Sequence, residues 1–290
     1  MTGEIIDPLK TLLAAEQGER VPLPEELMRI YGEFRLPLRA GRPYLLANFV
    51  ETLDGVVSLA EPGHSGAGEI SGHSAQDRFV MGILRSVADV VVAGASELRG
   101  PPGHVWSPGF IFPSLGPAYR DLRLRLGKAG PPLNLILSAS GEIDPGLPLF
   151  QSGEVPVLLL TTPAGRERWQ ARLREASLPQ PPSVELSISP HPGRISAQNI
   201  LDLIDRHYPS GIILLEGGPH LLGDFLAGGL LDELFITLSP QVAGRDEENR
   251  RPGLVSGQRF APDRPVWGSL AEVKRGNSYL FLRYQFSRNE

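Results

Sequence analysis

Residues 211–240 read GIILLEGGPHLLGDFLAGGLLDELFITLSP, and the punctuation of this stretch decides the fold class. Ile212, Ile213, Leu214 and Leu215 form an apolar run with the length of a strand buried on both faces. It stops at Glu216-Gly217-Gly218, where the pattern becomes helical. Pro219 suits a first helical residue, because its missing N–H would have no helical partner there and its fixed φ already fits. Leu221 with Phe225, and Leu222 with Leu226, then lie four residues apart and make one apolar stripe. Gly228-Gly229 supplies a left-handed stop, and residues 234–238 return as a second strand. A helix of this kind packs on a sheet.

A strand end, two glycines and a helix N-terminus can also hold an anion. The first amides of a helix lack intrahelical acceptors, the dipole adds partial positive charge, and glycines let a phosphate come close to the backbone. Residues 216–221 therefore read either as an anion site or as a tight strand-to-helix turn without a ligand.

The pattern extends outward in both directions. Residues 45–50 form a strand that leads to the turn signal Asp54-Gly55, and Val56-Val57 continue as a further extended piece. Residues 63–72, rich in Gly, Ser and His, make a loop over the strand ends. Ser74 with Asp77 forms a Ser-x-x-Asp capping box for a helix whose Phe79, Val80, Ile83, Leu84 and Val87 cover a sheet face. Residues 89–93 are the next strand, and Gly94-Ala95-Ser96 is a second glycine turn after a buried strand. Residues 99–117 read as a long irregular loop in which His104 beside Trp106 serves packing or surface.

Strands at 133–137 and 155–160 end in Ser138 and in Thr161-Thr162. The helix after Pro163 puts Trp169, Leu173 and Ala176 on one side. After a strand at 184–188, Ser196 caps a helix whose Ile200, Leu203, Ile204 and His207 face inward. This alternation implies an α/β fold with a mostly parallel central sheet and helices on both faces. Residues 244–265 form a long loop, and residues 275–278 join an antiparallel C-terminal hairpin. Residues 1–40 read as an N-terminal extension lying across the main body or a partner subunit, and residues 41–290 as a single domain.

Composition narrows the function. With 290 residues, a net charge of −5 and no cysteine, the chain is an ordinary globular protein. Thiolate zinc sites, disulfides and cysteine nucleophiles are excluded. No basic face suggests nucleic acid, and Arg120, Arg123 and Arg125 read as a solvated helix face. No apolar run is long enough for a bilayer and the first residues lack a secretory pattern, so a cytoplasmic protein is expected.

Several motifs, taken in order, carry a family resemblance. Arg42-Pro43-Tyr44, Thr52-Leu53-Asp54-Gly55, Leu84-Arg85 with Ala88-Asp89, Gly94-Ala95-Ser96, Glu216-Gly217-Gly218-Pro219, Leu231-Asp232-Glu233-Leu234 and Pro240 resemble the reductase half of the bacterial riboflavin-biosynthesis deaminase/reductase. The spacing is most similar to stand-alone pyrimidine reductase relatives in the dihydrofolate-reductase-like superfamily, over residues 41–287. The resemblance implies a dihydrofolate-reductase-like three-layer sandwich with eight or nine strands, a homodimer, and NADPH as cofactor. It also implies that Gly94, Ala95 and Ser96, with Gly217, Gly218, Pro219, His220 and Leu221, contact the cofactor. Val50 and Val57 would line its nicotinamide end. Arg85 and Glu216 would meet the substrate.

Further expectations follow. Glu216 and Asp54 are the candidate catalytic groups for orienting the substrate or relaying a proton, while Asp54 reads more readily as a turn-capping carboxylate than as a catalytic one, and Arg85 reads equally as a helix-surface ion pair. Ser138, Ser140, Thr161 and Thr162, at successive strand ends, could hold a 2′-phosphate. No metal is expected. Relatives carry a Thr-x-x-x-Asp-Asp-Pro run where this chain has Ser96 to Pro102, so Gly100 stands in for the first acid. The Trp usual before the capped helix is also absent, with Glu69 near its place. The zinc deaminase elements need cysteines that are not there. The expected function is an NADPH-dependent reduction of a pyrimidine- or pterin-like small molecule. The alternatives are a catalytically inactive NADP-binding or assembly subunit and, ranked below both, a plain dihydrofolate reductase.

Overall fold

The computed structural model describes residues 6–37, 41–61, 66–99, 103–181, 183–189, 195–209 and 211–287. The chain begins with β1 (Lys10–Leu13), β2 (Glu19–Arg20), α1 (Glu25–Tyr31) and β3 (Arg35–Leu36). Next come β4 (Tyr44–Glu51), α2 (Ala67–Ile70), α3 (Ala75–Val87), β5 (Val90–Gly94), α4 (Pro108–Ile111), α5 (Gly116–Arg125) and β6 (Leu133–Ser138). They are followed by α6 (Pro148–Gln151), β7 (Val157–Thr161), α7 (Pro163–Glu175), β8 (Val184–Ile188), α8 (Ala197–His207), β9 (Ile212–Leu215) and α9 (Pro219–Ala227). β10 (Glu233–Leu238), β11 (Ser269–Gly276) and β12 (Tyr279–Gln285) close the fold.

Ten strands make one sheet in the order β1-β11-β12-β10-β4-β9-β5-β6-β7-β8. From β10 to β8 every neighbouring pair is parallel, while β12 on β10, β11 on β12 and β1 on β11 are antiparallel. This is the expected mostly parallel sheet with an antiparallel C-terminal hairpin. The resemblance implied eight or nine strands. The count reaches ten because Lys10–Leu13, from the N-terminal stretch, pairs along β11.

Side-chain alternation explains the layers. Leu46, Leu214, Val91, Ala93, Ile136 and Leu159 point into one core, beneath α3, α5 and α7. Leu45, Ala47, Ile213, Leu215, Val90, Val92, Leu135 and Leu158 point into the other, beneath α8 and α9. Strands buried on both faces must be apolar at every position, which is why these segments read as continuous runs. In α3 the Ser74 hydroxyl accepts from the Asp77 amide at 3.3 Å, and Phe79, Ile83 and Val87 are fully buried.

The structure differs from expectation elsewhere too, and α2 takes up part of the loop expected at 63–72. Val56 and Val57 extend no strand, because the Thr52 amide bonds Val56 O and the Val56 amide bonds Thr52 Oγ1, closing a turn. Residues 103–117 are not irregular throughout, since Ser107 caps α4 and a 3-10 turn follows at Pro113–Leu115. Arg123 is buried rather than solvated. Its guanidinium donates to Ser86 O at 3.0 Å and Ala88 O at 2.7 Å, satisfying carbonyls at the end of α3, and to Gly130 O at 2.6 Å ahead of β6. His207 is exposed in the last turn of α8, where a helix end favours a basic group.

Candidate active site

The C-terminal ends of the parallel strands lie along one edge of the sheet, and there β5 and β9 are direct neighbours. The Glu216 amide still bonds Val92 O at 3.0 Å, and beyond it the two glycine bends touch. A Cβ built on Gly217 would lie 3.6 Å from the Gly94 amide nitrogen. α9 starts at Pro219 with no side-chain cap on Gly218. Among the described residues, the amides of Gly217, Gly218 and His220 have no backbone acceptor. Leu221 folds back over Gly217, its Cδ2 2.6 Å from that built Cβ, while the same construction on Gly218 meets nothing nearer than Glu97 Oε1 at 3.8 Å. His220 is exposed, and its ring lies against Gly257. Unpartnered amides around an open glycine at a helix start can receive an anion.

Beside these bends, Arg85 and Glu216 bind each other. Arg85 Nη2 donates to Glu216 Oε2 at 2.6 Å, and Nε lies 3.0 Å from both carboxylate oxygens. The side chains are only 2% and 7% exposed, so this is a buried pair and not the helix-surface pair that residue 85 alone could suggest. Arg85 Nη2 also lies 3.3 Å from His104 Nε2, and Nη1 is 3.4 Å from Ser107 O. The His104 ring packs edge-on against Trp106 at 4.7 Å and Phe110 at 5.1 Å. Burial, reinforced by the Arg85 cation, holds the imidazole down to about 3. Asp77 is buried nearby, bonded to Thr237 and Ser71. Burial and the Glu216 charge push its carboxyl up to about 6.

Asp54 sits on the turn after β4. Its Oδ1 accepts from Thr52 Oγ1 at 2.6 Å and the Ala243 amide at 3.1 Å, and Oδ2 accepts from the Gly244 amide at 2.8 Å. These bonds hold the carboxyl down to about 2, with the Thr52 hydroxyl contributing most. Asp54 thus ties residues 52–56 to the long loop after β10. The same loop crosses the start of α9, where the Ser256 amide bonds Pro219 O at 3.2 Å, and it meets Val57, whose amide bonds Pro252 O at 3.1 Å. Val57 is buried, and Val50 packs with Val56 and Ile70.

At the next two strand ends the hydroxyls are occupied within the fold. Ser138 Oγ accepts from the Gly141 amide at 3.0 Å, Thr161 Oγ1 donates to Ser138 O at 2.6 Å, and Thr162 Oγ1 donates to Ala139 O at 2.8 Å. Ser140 alone of the four is exposed. Gly100, standing in for the relatives' acid, lies outside the described residues. Among those described, no three His, Cys, Asp or Glu side chains gather to hold a metal ion, and no helix is long and apolar enough to cross a membrane.

A profile of the RibD C-terminal domain family matches residues 43–261. The chain belongs to the RibD C-terminal domain family. Over 210 residues it is 25% identical to the riboflavin biosynthesis protein RibD of Escherichia coli (strain K12), an alignment covering 72% of this chain and 51% of that protein. The chain therefore spans about half the length of the curated relative it matches. A pyrimidine reductase-like protein from Corynebacterium diphtheriae has a similar structure, with a TM-score of 0.65 at 20% identity, over 91% of this chain and 99% of that one. The diaminohydroxyphosphoribosylaminopyrimidine deaminase/5-amino-6-(5-phosphoribosylamino)uracil reductase of Thermotoga maritima gives 0.58 at 18% identity, over 85% of this chain and 57% of that one. At such identities the likeness establishes the fold.

Within this RibD C-terminal domain the motif residues sort to opposite ends of the sheet. Arg42 grips Asp232 through Nη2–Oδ1 at 2.7 Å and Nη1–Oδ2 at 3.1 Å, and Asp232 Oδ2 also accepts from the Leu45 amide, so the starts of β4 and β10 are pinned together. Asp89 Oδ2 accepts from the Ile212 amide at 2.8 Å, fixing the start of β9 beside β5. Arg85, Gly94 to Ser96 and Glu216 to Leu221 lie at the other end. His104 and Asp77 belong there too. Neither stood out as a site residue in the sequence, since a lone His in a Pro- and Gly-rich stretch has no periodicity and Asp77 read as a helix cap.

Proposed function

We propose that the chain is an NADPH-dependent reductase of a pyrimidine- or pterin-like substrate, related in activity to 5-amino-6-(5-phosphoribosylamino)uracil reductase. One observation carries the reading: the bends at Gly94 and Gly217 touch, with open amides on one side and the buried Arg85–Glu216 pair on the other. The residues present fit a dinucleotide, because Gly218 has room for a close approach and α9 offers its dipole. Gly94, Ala95, Ser96, Gly217, Gly218, Pro219, His220 and Leu221 would hold the diphosphate region, with Val50 and Val57 walling the nicotinamide end. Ser138 and Thr161 act there by shaping their turns. When bound, the nicotinamide supplies a hydride.

The chain's own side chains position and protect. Arg85 fixes the Glu216 carboxylate at the substrate side, where it orients the heterocycle or passes a proton to the reduced group. Asp54 braces the loop that closes the cofactor side. The choice of NADPH over NADH and a homodimer rest on the family resemblance.

Titration of NADPH fluorescence, followed by NADPH oxidation against a panel of pyrimidines and pterins, tests the reading. Saturable binding with turnover of 5-amino-6-(5-phosphoribosylamino)uracil or a close analogue is expected. Absence of binding would overturn it, and binding without turnover across the panel would favour an inactive NADP-binding subunit.

A further inference from the structure

Arg85 is 1% exposed and its donors are engaged by Glu216, His104 and the Ser107 carbonyl, so the guanidinium has little left to offer a substrate directly. The group in front of it is His104. A guanidinium only donates, so His104 Nε2, at 3.3 Å from Arg85 Nη2, must be the acceptor nitrogen. The ring proton then resides on Nδ1. That N–H has no hydrogen-bond partner among the described residues, and the side chain is only partly buried. The surrounding ring environment supports a neutral imidazole, since burial and the nearby cation both disfavour a second proton. Phe110, in ring contact with His104, is 41% exposed and offers a flat apolar surface beside the imidazole.

We propose that His104, held as its Nδ1–H tautomer by Arg85, is a specificity-determining residue that donates a hydrogen bond to a carbonyl or ring-nitrogen acceptor of a planar heterocycle resting on Phe110. The proposal rests on the reductase reading for its substrate, while the tautomer follows from the Arg85 contact and the donor has no partner among the described residues. Arg85 is accordingly a positioning residue, which aligns Glu216 with one end of its fork and His104 with the other. A neutral donor at this point selects an uncharged acceptor edge and leaves the recognition of phosphate to the backbone amides.

The test begins without ligand. In a ¹⁵N–¹H spectrum of the histidine rings of the full chain, with His104 identified by its loss in H104Q, the ring is expected neutral with its proton on Nδ1 from about pH 5 to pH 8. A cationic ring or an Nε2–H tautomer overturns the proposal. Next, 5-amino-6-(5-phosphoribosylamino)uracil is titrated into the NADPH-saturated protein. H104Q keeps an acceptor toward Arg85 but lacks the Nδ1 donor, and a rise in KM of about tenfold with NADPH affinity unchanged is expected. H104N places an amide donor near the Nδ1 position and should recover part of that loss. An H104Q enzyme with wild-type KM shows that His104 merely props Arg85 and overturns the proposal. If the wild type does not turn this pyrimidine over, the reductase reading fails for it, and the Nδ1–H resonance decides the rest. A saturable shift on adding the pyrimidine supports the donor role, and an unmoved resonance overturns it.

Discussion

Arg85, on α3, and Glu216, at the end of β9, meet across 131 residues of sequence in a fork of three short contacts with almost no solvent. Removing one partner leaves a charge buried and alone. R85A should lose about 3–5 kcal/mol of unfolding free energy. Replacing both by apolar groups of similar length, R85M/E216M, should restore much of the stability while activity stays absent. Urea denaturation of the single and double variants checks this. A wild-type midpoint for R85A would show that the pair does not hold the site together.

The two kinds of glycine at the sheet edge respond differently to an added methyl. On Gly141, with φ +67°, a Cβ would lie 1.9 Å from Gly165 O, so backbone must move. G141A should therefore cost about 3 kcal/mol or more, from overpacking together with a left-handed non-glycine residue. Gly218 has φ −68° and ordinary space around its Cβ position. G218A should keep stability within about 0.5 kcal/mol. Its methyl projects where a phosphate would approach, so NADPH should bind about tenfold more weakly. Equal NADPH affinity in G218A and wild type would move the anion away from this bend.

Asp77 and Asp54 give opposite pH signatures. Asp77, buried and raised to about 6 from 3.8, binds its proton more tightly in the folded state. Its contribution to stability is fully present below about pH 4 and is lost as pH rises through about 6, a change of about 3 kcal/mol. D77N should flatten that limb of the stability curve, with the gap between variant and wild type changing most between about pH 4 and pH 7. A pH-independent gap would mean that Asp77 stays ionised.

Asp54 runs the other way. Its carboxyl is held down to about 2 by the Thr52 hydroxyl and the Ala243 and Gly244 amides. Its contribution is present above about pH 4 and is lost as pH falls through about 2. The protection factors of the Ala243 and Gly244 amides should therefore fall on acidification before those of the sheet amides do. D54N should show fast exchange there at neutral pH as well, and protection unchanged in D54N would remove Asp54 from its bracing role.

Local grammar was legible in the sequence, and long-range chemistry was not. Pro219 after two glycines, Ser74 before Asp77 and the uninterrupted run Ile212 to Leu215 each signal through near neighbours, and each forms the element that its pattern implies. Arg85 and Glu216 were each visible as candidates, but no periodicity could show that they face one another, because the sheet order that joins α3 to β9 is a tertiary fact. Arg123 looked like one more arginine on a solvated face, and only the fold reveals carbonyls of α3 waiting for it. His104 was hidden for a similar reason. Its partner is a side chain on another element, and the loop around it carries no repeating pattern.

The N-terminal stretch offers a final case, in which a charged group is covered rather than exposed. Tyr31 of α1 donates to Glu272 Oε2 at 2.7 Å on β11, and Lys274 Nζ lies 3.2 Å from Glu272 Oε1 and 4.4 Å from the centre of the Tyr31 ring. Lys274 also donates to Thr11 Oγ1 at 3.0 Å, so β1 and α1 close over one buried ion pair. Phe34, edge-on to Tyr31 at 5.3 Å, covers the Arg283 guanidinium, which is itself bonded to Glu233. Burial and the Glu272 charge keep the phenol protonated, so it serves as a donor at all working pH values. Y31F retains the ring over Lys274 and removes only the hydroxyl. The loss of a hydrogen bond to a buried carboxylate should cost about 1.5–3 kcal/mol. K274M leaves Glu272 with the phenol but without a cation and should cost more, about 3–5 kcal/mol. Thermal unfolding of both variants orders the two effects. If Y31F proves as damaging as K274M, the hydroxyl rather than the ammonium is what makes the buried carboxylate tolerable.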